Sequence, residues 1–195
     1  MKISVALCVL TLLAGSMVFA ANSKTSLVTF SHAVRVPGAT LPAGSYRFVL
    51  SSSTGNRGIV RVTSRSGDKV FATILTVPDH RHESTTHGVV LFGEKGACAK
   101  ETPIRAWFYP NEQYGYRFIY PKDEAAEIAV MCNEAVPETE NPLAKKLNLD
   151  ANQTADLEKS NVHLMSPAKQ ESAYDSKVLE AGDRADTSGF DTVNE

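Results

Sequence analysis

"LVTFSHAVRVPGATLPAGSYRFVL", residues 27–50, alternates apolar and polar side chains at a period of two, and turn residues break the run twice. In the first half Val28, Phe30, His32, Val34 and Val36 share one face, while Thr29, Ser31, Ala33 and Arg35 share the other. "PGAT" and "LPAG" follow, and the proline and glycine of the second suit the second and fourth positions of a turn. Tyr46, Phe48 and Leu50 then point inward, with Arg47 and Val49 outward. This is the pattern of half-buried strands, and it makes the chain a β protein.

The pattern continues on the C-terminal side. "GIVRVTSR" (58–65) places Val60 and Val62 on one face and Ile59, Arg61, Thr63 and Arg65 on the other. "SGDK" (66–69) reads as a turn, and "VFATILTV" (70–77) is apolar on both faces, which suits a central strand covered on both sides. "GVVLFG" (88–93) reads the same way, and "IRAWFYP" and "GYRFIYP" flank a short connection centred on Glu112. "KDEAAEIAVMCNEA" follows Pro121 with helix-forming residues, acids in its first turn, and Ala125, Ile128, Ala129 and Cys132 on one face. Strands at this spacing predict an all-β sandwich or barrel of about seven or eight mostly antiparallel strands with one C-terminal α-helix.

Residues 1–20 carry a lysine, an apolar run and small residues around Ala20, the pattern of a secretory signal peptide. The expected location is therefore periplasmic or secreted, with no stable membrane span once the signal is removed. Of the three cysteines, Cys8 lies in the signal, which leaves Cys98 and Cys132 to pair as a disulfide in an oxidising compartment. The domain expected over 21–133 is mildly basic, whereas residues 134–195 are acidic and poor in large apolar side chains, the composition of a disordered tail. That tail reads as a solubilising appendage; the alternative is a transient, salt-sensitive contact with Arg47, Arg61 and Arg65. Dense Lys/Arg clustering is absent, so nucleic acid is not an expected partner.

Several blocks in order, "VRVPGATLPAGSYRFVL", "RGIVRV", "ATILTVP", "AWFYP", "GYRFIYPK" and "AAEIA", resemble a family of small exported proteins of soil bacteria over about residues 28–130. The "LPAGSY" phrase is also similar to immunoglobulin-like and transthyretin-like surface modules. The resemblance implies export and a compact β domain; it brings no activity, cofactor or catalytic residue.

Four groups of residues carry candidate chemistry. In "DHRHESTTHG" (79–88), His80 and His82 would share one side of an extended segment, and His87 or Glu83 could complete a site for zinc or another divalent metal. The same stretch reads as a polar loop, and a loop without cofactor is the reading adopted. The aromatic hairpin offers Arg105, Trp107, Tyr109 and Arg117; a turn centred on Glu112 would set Trp107 opposite Arg117 on a flat surface suited to stacking on sugar rings. His32 on its apolar face reads as a core imidazole, and Asp123, Glu124 and Glu127 as acids serving the helix dipole. Serine-nucleophile, zinc-protease, P-loop and dinucleotide-binding motifs are all missing. The function expected is that of a non-catalytic envelope or secreted interaction module, with an envelope polysaccharide or protein as partner. The alternatives are a carbohydrate-binding module on the hairpin and a metal-binding protein on His80, His82 and His87.

Overall fold

The computed structural model describes residues 24–93, 98 and 102–175. The signal peptide expected over 1–20 and the last twenty residues of the expected tail lie outside the described residues. Strands β1 (Thr25–Phe30), β2 (Val34–Val36), β3 (Ala39–Leu41), β4 (Gly44–Thr54), β5 (Arg57–Ser64) and β6 (Val70–His80) come first. They are followed by β7 (Val89–Phe92), β8 (Ile104–Phe108), β9 (Tyr114–Phe118), β10 (Tyr120–Pro121) and helix α1 (Lys122–Cys132). Strand β11 (Val136–Thr139), a 3-10 turn (Pro142–Lys145), helix α2 (Ala151–Glu158), β12 (His163–Met165) and β13 (Glu171–Ala173) complete the described chain.

A seven-stranded antiparallel sheet, in the order β1-β4-β5-β6-β9-β8-β7, curls into a half-barrel. Its two edge strands approach each other on the inside, where the rings of Phe30 and Phe92 lie 6.2 Å apart. The predicted β class, the hairpins and the central place of β6 are observed. Strand β7, read from sequence as central, is an edge strand paired only with β8. The remaining strands form two smaller units: β10, β11, β12 and β13 make a separate four-stranded sheet, and β2 and β3 a hairpin of their own. In that hairpin Gly38 has φ +74°, and a Cβ there would come within 3.0 Å of the Ala144 carbonyl oxygen, so both conformation and space require glycine.

The main core lies on one face of the large sheet. Phe48, Val60, Val62, Ile74, Trp107 and Phe118 pack there against Val34, Val36 and Leu41 of the β2–β3 hairpin and against α1. The buried face of α1 is Ala125, Ile128, Ala129 and Cys132, the stripe expected from its spacing. The helix stops where Asn133 turns left-handed, at φ 51°. The three acids near its start do more than complement the dipole. Glu124 accepts from the Gly38 backbone N–H at 3.2 Å, Glu127 from Arg35 at 2.9 Å, and Asp123 pairs with Lys145.

The disorder expected from Glu134 onward does not hold for residues 136–173, which form strands and a helix, so α1 is internal and a second helix follows it. This segment crosses to the other face of the large sheet, where Ala144, Leu149, Leu157 and Val162 cover Ile59, Leu75, Val77 and Ile119. Polar links join the same two layers: Arg61 donates to Asn148 Oδ1, Ser52 to Glu158, and Thr73 to the Leu147 carbonyl. A capping box between Asp150 and Gln153 starts α2. The apolar side chains that dock this segment are widely spaced, which leaves its average composition polar.

Candidate functional site

The aromatic hairpin is shifted by one residue from its predicted register. Ala106 lies opposite Arg117, Trp107 opposite Tyr116 and Phe108 opposite Gly115. Because side chains alternate, a one-residue slip exchanges the faces. Trp107 is therefore in the main core, 0% exposed, stacked on Tyr116 at 5.5 Å. Arg117 is on the opposite face, 3% exposed, and holds Asp79 through two hydrogen bonds of 3.1 and 3.2 Å. Gly115 permits the register, since a Cβ there would meet the Phe108 ring at 2.5 Å. Arg105 sits where the β7–β8 register skips a residue and pairs with Glu134 at 3.7 Å; Tyr109 is half-buried beside Trp107. The surface expected of Arg105, Trp107, Tyr109 and Arg117 is not formed by these residues.

His80 ends β6 and His82 follows in the loop, with rings 6.2 Å apart, while His80 also leans on Tyr114 at 5.1 Å. His87 is half-buried, and its Nδ1 lies 3.4 Å from Thr86 Oγ1. The structure does not gather the three histidines: among the described residues, the groups that bring three possible metal donors within 4.8 Å lie elsewhere. His32, expected in the core, is exposed in a bend that divides β1 from β2, and its Nδ1 contacts Ser31 Oγ. What the loop and hairpin do present to solvent is Tyr114, 68% exposed, beside His80 and His82.

The one described group of three donors that includes no disulfide cysteine is Glu138, His163 and Glu171, in the small sheet. Glu138 on β11 lies directly across from His163 on β12, and His163 from Ala173 on β13. Glu171 is two residues along β13 from Ala173, so it shares the face of its diagonal neighbour His163. Three adjacent strands thus bring three side chains together. His163 Nδ1 is 3.4 Å from a Glu138 oxygen and 2.8 Å from Glu171 Oε1.

Glu138 is 0% exposed, and neither of its carboxylate oxygens makes a hydrogen bond; His163 Nδ1 makes none either. Burying an ionised carboxylate without such partners costs several kcal/mol. Burial, and then the charge of Glu171, accordingly push the Glu138 carboxyl above its ordinary range. Lys122, at the start of α1, reaches Glu171 Oε2 at 2.6 Å and Glu140 at 2.5 Å. It holds the Glu171 carboxyl below the usual range and is itself raised by its two partners, Glu140 first. His163 also borders an open cleft of about 330 Å³, which Thr139, Asn141, Lys159, Ser160 and Asn161 help to line.

Sequence reasoning missed this cluster because its members stand 25 and 8 positions apart on short strands within a stretch of polar composition, with no recognisable spacing. The only local signal was Glu138 and Glu140 at a period of two beside Val136. Compared with protein-family models, with curated proteins and with solved structures, the chain gives no match in any of the three.

Proposed function

We propose that the protein is a non-catalytic exported module that binds an envelope polysaccharide through Tyr114 and the two imidazoles beside it. The observation that carries this reading is the cluster at the β6–β9 end, where an aromatic ring largely open to solvent stands 5.1 Å from His80, with His82 next to it. An exposed tyrosine offers a flat apolar face for a sugar ring and a hydroxyl for its rim, and imidazoles supply further hydrogen bonds. Rigid strands support it: His80 pairs with Tyr114 in the β6–β9 ladder, and Gln113 donates to the His82 carbonyl at 2.8 Å.

Export is supported by the disulfide between Cys98 and Cys132, since such bonds persist in oxidising compartments. The residues of the earlier stacking surface instead serve the fold, with Trp107 in the core and Arg117 tied to Asp79. Co-sedimentation with insoluble cell-wall polysaccharide and with peptidoglycan tests the reading. The wild type is expected to pellet with one of them, and Tyr114→Ala to reduce the bound fraction at least fivefold with unchanged thermal stability. Equal pelleting by both proteins, or by neither, overturns the polysaccharide site.

A further inference from the structure

We infer that Glu138, His163 and Glu171 form a binding site for one divalent transition-metal cation of the zinc type, independent of the Tyr114 surface. The spacing of the donors is the first argument. Donors held about 2.0–2.1 Å from one ion, at angles between octahedral and tetrahedral, stand about 2.8–3.4 Å from each other. His163 Nδ1 is 2.8 Å from Glu171 Oε1 and 3.4 Å from the Glu138 oxygen, and the donor atoms of all three lie within 4.8 Å.

The second argument is the orphaned state of these atoms. The imidazole nitrogen and both Glu138 oxygens are close together and buried, yet no hydrogen bond joins them. Donor atoms gathered at this spacing with no hydrogen bond between them are free to ligate a common centre. A cation there would replace the hydration that the fully buried Glu138 carboxylate has lost, and two carboxylates with a neutral imidazole balance a charge of +2.

Lys122 does not compete for the centre. It approaches Glu171 through Oε2, whereas Oε1 is the oxygen facing His163, so the ammonium fixes the orientation of a ligand from outside. Glu140, the other partner of Lys122, completes that outer support. The donor set selects among metals: an imidazole nitrogen favours zinc-like ions over calcium and magnesium, which prefer all-oxygen shells. Three protein ligands beside an open cleft leave a coordination position for water or an anionic group.

The test is titration of the full-length protein, stripped with chelator, with Zn²⁺ and Co²⁺ by calorimetry, the Co²⁺ visible spectrum reporting nitrogen and oxygen ligation. One ion per chain is expected, with at least a tenfold loss of affinity for both His163→Ala and Glu138→Gln. Glu138→Gln has a second readout that keeps the site falsifiable whatever the alanine variant does to folding. Without metal it is expected to melt no lower than the wild type, because a buried unpaired charge is gone. With Zn²⁺ it is expected to lose the wild type's gain in melting temperature. Variants of His80, His82 and His87 are expected to bind as the wild type does. The site is overturned by absence of stoichiometric binding, which would leave His163 a structural neighbour of two carboxylates, or by binding that survives His163→Ala. It is equally overturned by binding that disappears with the loop histidines, or by Ca²⁺ or Mg²⁺ matching Zn²⁺.

Discussion

At the scale of single residues, the side chains that looked most chemical in the sequence divide between core and surface according to one register. Trp107 and Tyr116 stack inside while Arg117 faces the other way, and the difference from expectation is a slip of one position in an eighteen-residue hairpin segment. Alternation alone cannot fix that slip, because both faces of β8 are apolar: Trp107 on one side, Ala106 and Phe108 on the other. What fixes it is the fit of Gly115 beneath the Phe108 ring, a contact no periodicity displays. Trp107→Ala is therefore expected to lower stability by about 3 to 5 kcal/mol through the cavity it leaves. Denaturant melts would measure it, with the wild-type tryptophan emitting at short wavelength and resisting acrylamide. An emission maximum typical of water, readily quenched, would show that the ring is not in the core.

At the scale of elements, the chain separates into what its pattern displays and what it conceals. Strands β4, β5 and β6 were legible because long alternating or apolar runs end at Gly-containing turns, and α1 because its buried stripe recurs at i, i+3, i+4 and i+7. The C-terminal elements were not, since each contributes only one or two apolar contacts: Ala144 from the 3-10 turn, Leu157 from α2, Val162 just before β12. The need for that layer was nevertheless written into β5 and β6. Ile59, Leu75 and Val77 face away from the main core, and an apolar outer face requires a cover. Ending the chain after Asn133 would uncover them together with Ile119. With about 1.5 to 3 kcal/mol for each large side chain returned to water, the loss is comparable to the whole net stability of a small domain. The shortened protein is expected to aggregate or to melt without cooperativity, as size-exclusion chromatography and circular dichroism would report. A soluble, cooperatively melting fragment would mean that residues 134–175 are the dispensable appendage their composition suggested.

At the scale of the whole molecule, the chain covers one face of the curled sheet with α1 and then passes to the other face, and the disulfide lies where that passage begins. Cys132 is the last residue of α1, and its partner Cys98 lies in the connection between β7 and β8, with a Cα–Cα distance of 5.0 Å and both residues fully buried. Beyond this point come β11 and the small sheet that carries Glu138, His163 and Glu171, so the bond anchors the base of the proposed metal site to an edge of the half-barrel. At the other end of α1, Glu124 and Glu127 reach the β2–β3 hairpin, so the helix is tied to the rest of the fold near both ends. The cross-link spans a sequence separation of 34, for which chain entropy gives about 3 to 4 kcal/mol of stabilisation. A Cys98→Ser, Cys132→Ser double variant is expected to unfold at a correspondingly lower denaturant concentration, and reductant to shift the wild type the same way. Thiols alkylated without prior reduction in the purified protein, or coincident denaturation curves with and without reductant, would show that packing and the acid tethers of α1 hold this junction unaided.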